Sequence, residues 1–148
     1  MQRNVAAPIA GVTVSTRSGS EQAYQVLHWG YTALPVIAGA DKFTDLLGNW
    51  DSYLAQPIAR VLPISVHGFM MIVGVVEIVA GLVVALRPKI GAYVVAAWLA
   101  GIILNLIIGM HALDVALRDF GLALGALALA RLAADHVSAG TSRSARST

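Results

Sequence analysis

Residues Ile64 to Leu86 read ISVHGFMMIVGVVEIVAGLVVAL, an apolar run broken by only two ionisable side chains, His67 and Glu77. At a rise of about 1.5 Å per residue, a helix of this length crosses the hydrocarbon core of a bilayer. The run stops at Arg87-Pro88-Lys89, where two cations and a proline end the helix and anchor it among headgroups. A similar block follows from about Ile90 to Gly109, and another from about Leu117 to Ala134. Upstream, Gln22 to Ala40 is also long enough to span, although His28 and Pro35 interrupt it. The sequence therefore predicts an all-α fold, a polytopic membrane four-helix bundle with spans at about 22–40, 64–86, 90–109 and 117–134.

Composition points the same way. Of 148 residues, 57% are hydrophobic and 12% charged, where a soluble domain carries about 25% charged residues. The mean hydropathy is +0.73. With no cysteine, a structural disulfide, an iron–sulfur cluster, thiolate zinc and a cysteine-based membrane electron relay are all excluded. A formal charge of +2, scattered along the chain, is no footprint for nucleic acid. GxGxxG, Walker, GxSxG and HExxH patterns are absent.

The cations set the expected orientation. Arg3, Arg17, Arg87, Lys89, Arg131, Arg143 and Arg146 fall on one side of the four spans, and Lys42, Arg60 and Arg118 on the other. The positive-inside rule then places the protein in the cell membrane as a multi-pass chain with both termini cytoplasmic. Residues 1–20 and 136–148, rich in Ser, Gly, Thr and Arg, read as disordered cytoplasmic tails flanking a membrane domain at 21–135. Between spans one and two, Phe43, Leu46, Leu47, Trp50, Tyr53 and Leu54 recur at helical spacing. That pattern predicts an amphipathic interfacial segment, serving either as a cover for the bundle or as a lid or partner-docking surface.

Glu77 sits about 3 Å from the bilayer midplane by residue count. An ionised carboxylate there costs about 2.5–3.5 kcal/mol, so it should be neutral, paired or turned into the bundle. His28 falls at a similar depth on span one, and a Glu77–His28 proton relay is the expected catalytic pair. Gly74 and Gly81, at i−3 and i+4 from Glu77, allow a neighbouring backbone to come close on that face. Span three repeats the device with Gly101, Asn105 and Gly109, and Gly121 and Gly125 open span four. The plain reading of Asn105 is an interhelical hydrogen bond worth about 0.6 kcal/mol.

A second polar group gathers at the non-cytoplasmic ends of the spans: Asp41, Lys42, His67, His111, Asp114, Arg118 and Asp119. Either these residues cap helices and snorkel to the headgroups, or they line a cavity. In the second case Lys42, His67, Asn105 and His111 are the candidate binders of a quinone carbonyl or an anion. His111 and Asp114 share a helical face, but a closed metal site needs about four ligands, and no metal is expected.

Three short runs resemble the DoxX-like family of small membrane proteins. Gly39-Ala40-Asp41-Lys42-Phe43 is similar to that family's G-x-x-K-φ ending of span one. Val76 to Leu86, followed by Arg87-Pro88-Lys89, resembles its glutamate-containing second span, and Asp119 to Leu132 its last. The likeness covers about residues 22–135 and departs where Tyr24, Gln25 and His28 stand in place of an arginine early in span one. It implies a four-helix membrane fold, and a role as a subunit of a redox assembly meeting the quinone pool. Gly39, Lys42, Glu77 and Gly81 are the positions it would carry over. The partners implied are the lipid bilayer, a soluble or membrane redox subunit and a further copy of the chain. Two other readings stand beside this one: a small proton-coupled transporter built on Glu77, and a non-catalytic membrane anchor or scaffold for a partner protein.

Overall fold

The computed structural model describes residues 18–110 and 112–144, with residues 137–144 as backbone alone. The described residues form an all-helical fold of five α-helices and one 3-10 turn. Helix α1 (Gly19–Asp41) starts where Ser18 Oγ accepts the amide of Glu21, a hydroxyl satisfying one of the donors that every helix start leaves unpaired. It runs through Pro35 without a break. After a long irregular connection containing the 3-10 turn (Trp50–Tyr53) and a single turn of helix, α2 (Gln56–Ala59), α3 covers Val66–Leu86. Ser65 caps α3 at the amide of Gly68. Arg87 alone separates α3 from α4 (Pro88–Gly109), with Pro88 at the first helical position, where its missing N–H costs nothing. Met110 and Ala112, both at positive φ, turn the chain into α5 (Leu113–Ser144).

The four long helices pack in sequence around a ring, most extensively α1 against α3 and α4 against α5. A core of Val84, Ala92, Ala126, Leu129 and Ala130, all fully buried, joins α3, α4 and α5, and Tyr31 brings in α1. The α1–α3 contact depends on missing side chains. A Cβ on Gly39 would lie 2.5 Å from the carbonyl oxygen of Gly74, and one on Gly81 would lie 2.7 Å from that of Thr32. These are backbone atoms that cannot step aside cheaply, so the sequence needs glycine there.

Helices α3 and α4 are each long and apolar enough to cross a membrane. In α1 the stretch Glu21 to His28, and in α5 Arg118, Asp119, Arg131 and Asp135, dilute the apolar content.

Three expectations are corrected. The connection at 42–65 is no amphipathic helix: Leu46 and Leu47 are 83% and 69% exposed, while Leu54 is buried. The carboxylate of Asp41 accounts for this, because it accepts the amides of Leu46 and Leu47 that a helix would have used internally. Positive φ at Asp45 breaks the path further. Gly101 and Gly121 face open space and do not form tight helix contacts. Finally, α5 continues past Ala134 to Ser144, through the first part of the segment expected to be a tail. The rest of that tail, with residues 1–17, lies outside the described residues.

Candidate functional site

Lys42 follows the last residue of α1, and a lysine at a helix end ordinarily extends outward to keep its ammonium hydrated. Its stem instead lies against Gly74, since a Cβ on that glycine would meet Lys42 Cβ at 3.1 Å. From there the chain reaches inward along α3 to Glu77, and Lys42 Nζ donates to Glu77 Oε2 at 2.6 Å. Lys42 is 4% and Glu77 7% exposed. The indole of Trp50 closes the pair from the connection side, with its ring centroid 3.9 Å from Nζ, so a cation–π contact adds to the ion pair. From α4, Trp98 Nε1 donates to Glu77 Oε1 at 3.5 Å, at the outer limit of a hydrogen bond.

Asp41, the last residue of α1, holds the connection in place. It accepts Trp50 Nε1 at 2.7 Å, the amides of Leu46 and Leu47 at 3.0 Å each, and Thr44 Oγ1 at 3.1 Å. Burial raises its carboxyl pKa, but these hydrogen bonds, led by that of Trp50, outweigh burial and hold it below the ordinary value of 3.8. Trp50 therefore presents its N–H to Asp41 and its ring face to Lys42.

Asn105 on α4 does not form the expected hydrogen bond to another long helix; instead it captures backbone in the connection. Its Nδ2 donates to Tyr53 O at 2.7 Å and its Oδ1 accepts the Ala55 amide at 2.9 Å. An amide side chain matches a peptide edge in this two-bond way because both carry one donor and one acceptor in a plane.

These residues surround a cavity of about 700 Å³. Lys42 and Glu77 are on its wall, with Tyr31, Trp50, Tyr53, Phe69 and Trp98 as aromatic surfaces and Asn105, Arg118 and Asp119 as further polar groups. The charges on this wall, two cations and two carboxylates, sum to zero. The site therefore favours a neutral, largely apolar ligand with a hydrogen-bond acceptor for the Lys42 ammonium.

The expected Glu77–His28 pair is not formed. His28 Nε2 bonds to the carbonyl of Val84 at 3.1 Å, seven residues and about 10 Å along α3 from Glu77. Against the carbonyl, that nitrogen carries the proton. His67 pairs with Asp51 at 3.5 Å on an exposed surface, away from the cavity. Asp114 and Arg118 form an exposed i, i+4 pair at 3.3 Å. His111 lies outside the described residues. Sequence reasoning missed Trp98 and Tyr31, whose hydroxyl donates to the Leu122 carbonyl. Indole and phenol groups at mid-helix depth, far from the interface where such residues usually sit, were the available signal. No family model, curated protein or solved structure matches this chain.

Proposed function

We propose that the chain is a four-span membrane protein of the DoxX-like type whose central cavity receives a quinone, acting as the membrane subunit of a redox assembly. The observation that carries this reading is the buried Lys42–Glu77 pair on the wall of an aromatic-lined cavity. Spanning by all four long helices is supported by an inverted pattern of burial. Val26 and Trp29 on α1, Val75 and Leu82 on α3, Leu104 and Ile108 on α4, and Leu117 and Phe120 on α5 are all exposed, whereas alanines fill much of the core. In water such a surface would aggregate; in lipid, small residues inside and large ones outside is the ordinary arrangement. The resemblance in span one and span two supports the same assignment through Gly39, Lys42, Glu77 and Gly81.

The residues fit a quinone in three respects. The aromatic walls accept a flat ring, the Lys42 ammonium supplies a donor for a ring carbonyl, and Glu77 holds that ammonium in place. When bound, a quinone would supply acceptance of two electrons and two protons, the electrons coming from a partner subunit. Lys42 and Glu77 would orient the head and hold a proton at Nζ. Asn105 and Asp41 would keep the connection closed over it and limit water. Both termini on the cytoplasmic face follow from the cation distribution.

The test is a titration of the purified protein with a short-chain benzoquinone, comparing wild type with Lys42→Met/Glu77→Met, which removes both charges together. Saturable binding that the double variant loses supports the reading, and absence of binding by the wild-type protein overturns it. If proteoliposomes instead show flux driven by a pH gradient and abolished by Glu77→Gln, with no quinone bound, the pair belongs to a transporter.

A further inference from the structure

A second depression lies on the outer surface of α3 and α4, a groove of about 410 Å³ lined by apolar side chains of Val76, Val79, Val83, Val94 and Ala97, with Trp98 at one edge. Ala80, Ala97 and Trp98 line this groove and the central cavity alike. Two alanines and one indole are thus all that these two spaces share as a wall. The helix pair on which it sits contains the two helices long and apolar enough to cross a membrane, so the groove faces hydrocarbon if they do. Toward the cavity, the Trp98 indole donates the long 3.5 Å hydrogen bond to Glu77.

We infer that this groove is the tail site and lateral entrance for a membrane-soluble amphiphile, whose long apolar chain lies along Val76, Val79, Val83 and Val94 while its polar head reaches Lys42 and Glu77 past Trp98. The inference rests on the function proposed above, and adds to it a route and a requirement for a lipid tail. The occupant follows from chemistry. No charged or hydrogen-bonding side chain other than the Trp98 indole lines the groove, so a polar ligand gains nothing there. A chain continuous with a head in the cavity uses both spaces at once. Entry through the groove has to turn the Trp98 indole and break its long hydrogen bond to Glu77.

The experiment uses the full chain in nanodiscs and two probes with one headgroup, a benzoquinone bearing three isoprene units and the same ring bearing a methyl group. Val79→Trp and Val94→Trp fill the groove from its two walls without touching the central cavity. The tailed probe is expected to lose about tenfold in affinity in either variant, as for about two methylenes left unburied, while the methyl probe changes by less than about twofold. A photoreactive group at the tail end should label α3 or α4. Comparison of variant with wild type cancels the partitioning of the tailed probe into lipid. If both probes bind all three proteins alike, bulk acyl chains cover the groove and the inference is wrong, while the cavity reading stands. A change of oligomeric state in the variants, with tail affinity unaltered, would make the groove an interface with a second copy and equally overturn it. Loss of both probes in both variants would show that groove and cavity do not divide tail from head. Failure of the wild type to bind the methyl probe would remove the cavity reading and this inference with it.

Discussion

At the end of the molecule that carries the long connection, Lys42, Glu77, Asp41 and Asn105 bury charges and amides among indole and phenol rings. Toward the Arg87 turn, the core is made of Val84, Ala92, Ala126, Leu129 and Ala130, packed with no exposed surface at all. The first region is fastened by directional bonds and encloses space; the second is fastened by close approach and encloses none. Close packing is cheap to hold in lipid because small side chains lose little entropy on burial. A cavity forfeits those contacts, and the helices around it are tied by hydrogen bonds instead. Room for a ligand exists where polar links have replaced packing.

The contrast can be broken most strongly at the ion pair. Lys42→Met or Glu77→Met alone should destabilise the protein by about 3–5 kcal/mol, because each leaves an uncompensated buried charge, whereas the double variant should recover most of that loss. Unfolding in detergent, followed by circular dichroism, measures all three. At the turn end, Gly91→Ala should cost about 1–3 kcal/mol as overpacking, since its Cβ would press on the backbone of Val84, with the α-carbon only 2.5 Å away. Here a second substitution has no means of rescue, as the obstacle is main chain. A thermal melt that Gly91→Ala leaves unmoved would mean that this end is looser than described.

Smaller effects sharpen the picture of the connection. Asn105→Leu should lose two hydrogen bonds, about 1–3 kcal/mol together, and the loss should appear as faster amide exchange at Ala55, with the turn end unaffected. Asp41 gives a pH dependence. Its folded pKa lies below the ordinary 3.8, so its stabilisation is full above that value and drains away as the pH falls through the lowered one. Trp50 fluorescence should report release of the indole at acid pH, and Asp41→Asn should flatten that transition. Least of all, Arg118→Ala should shift stability by under about 0.5 kcal/mol, since its pair with Asp114 is exposed.

The two long apolar helices α3 and α4 were legible from residues 64–109, because the free energy of a long apolar helix is a local sum. Glu77 stood out for the same reason: a carboxylate deep in such a run is conspicuous without any knowledge of its neighbours. Its partner was not legible. His28 and Lys42 are both polar residues in reach of the same helix by residue count, and the choice turns on side-chain direction. Gly74 leaves the groove along which the Lys42 stem runs inward, which residue spacing cannot express. The connection misled in a different way. Phe43, Leu46, Leu47, Trp50 and Tyr53 satisfy a helical period, yet one carboxylate, Asp41, competes for the amides that a helix would need. Asn105 was legible as a polar residue among small ones, but its target is main chain, and main chain has no sequence signature.

His136 and Glu21 meet at 3.2 Å, with Tyr24 stacked on His28 and tilted against His136, so the helix that opens the described fold and the one that closes it share an address. Topologically the four long helices form a ring with three covalent links and one contact in place of a fourth. A ring can be cut anywhere. Joining α1 to α5 near this contact and opening the chain at Gly48, where a side chain would meet nothing, gives a circular permutant with every helix neighbour unchanged. In that permutant the cavity would be bordered by the new chain ends.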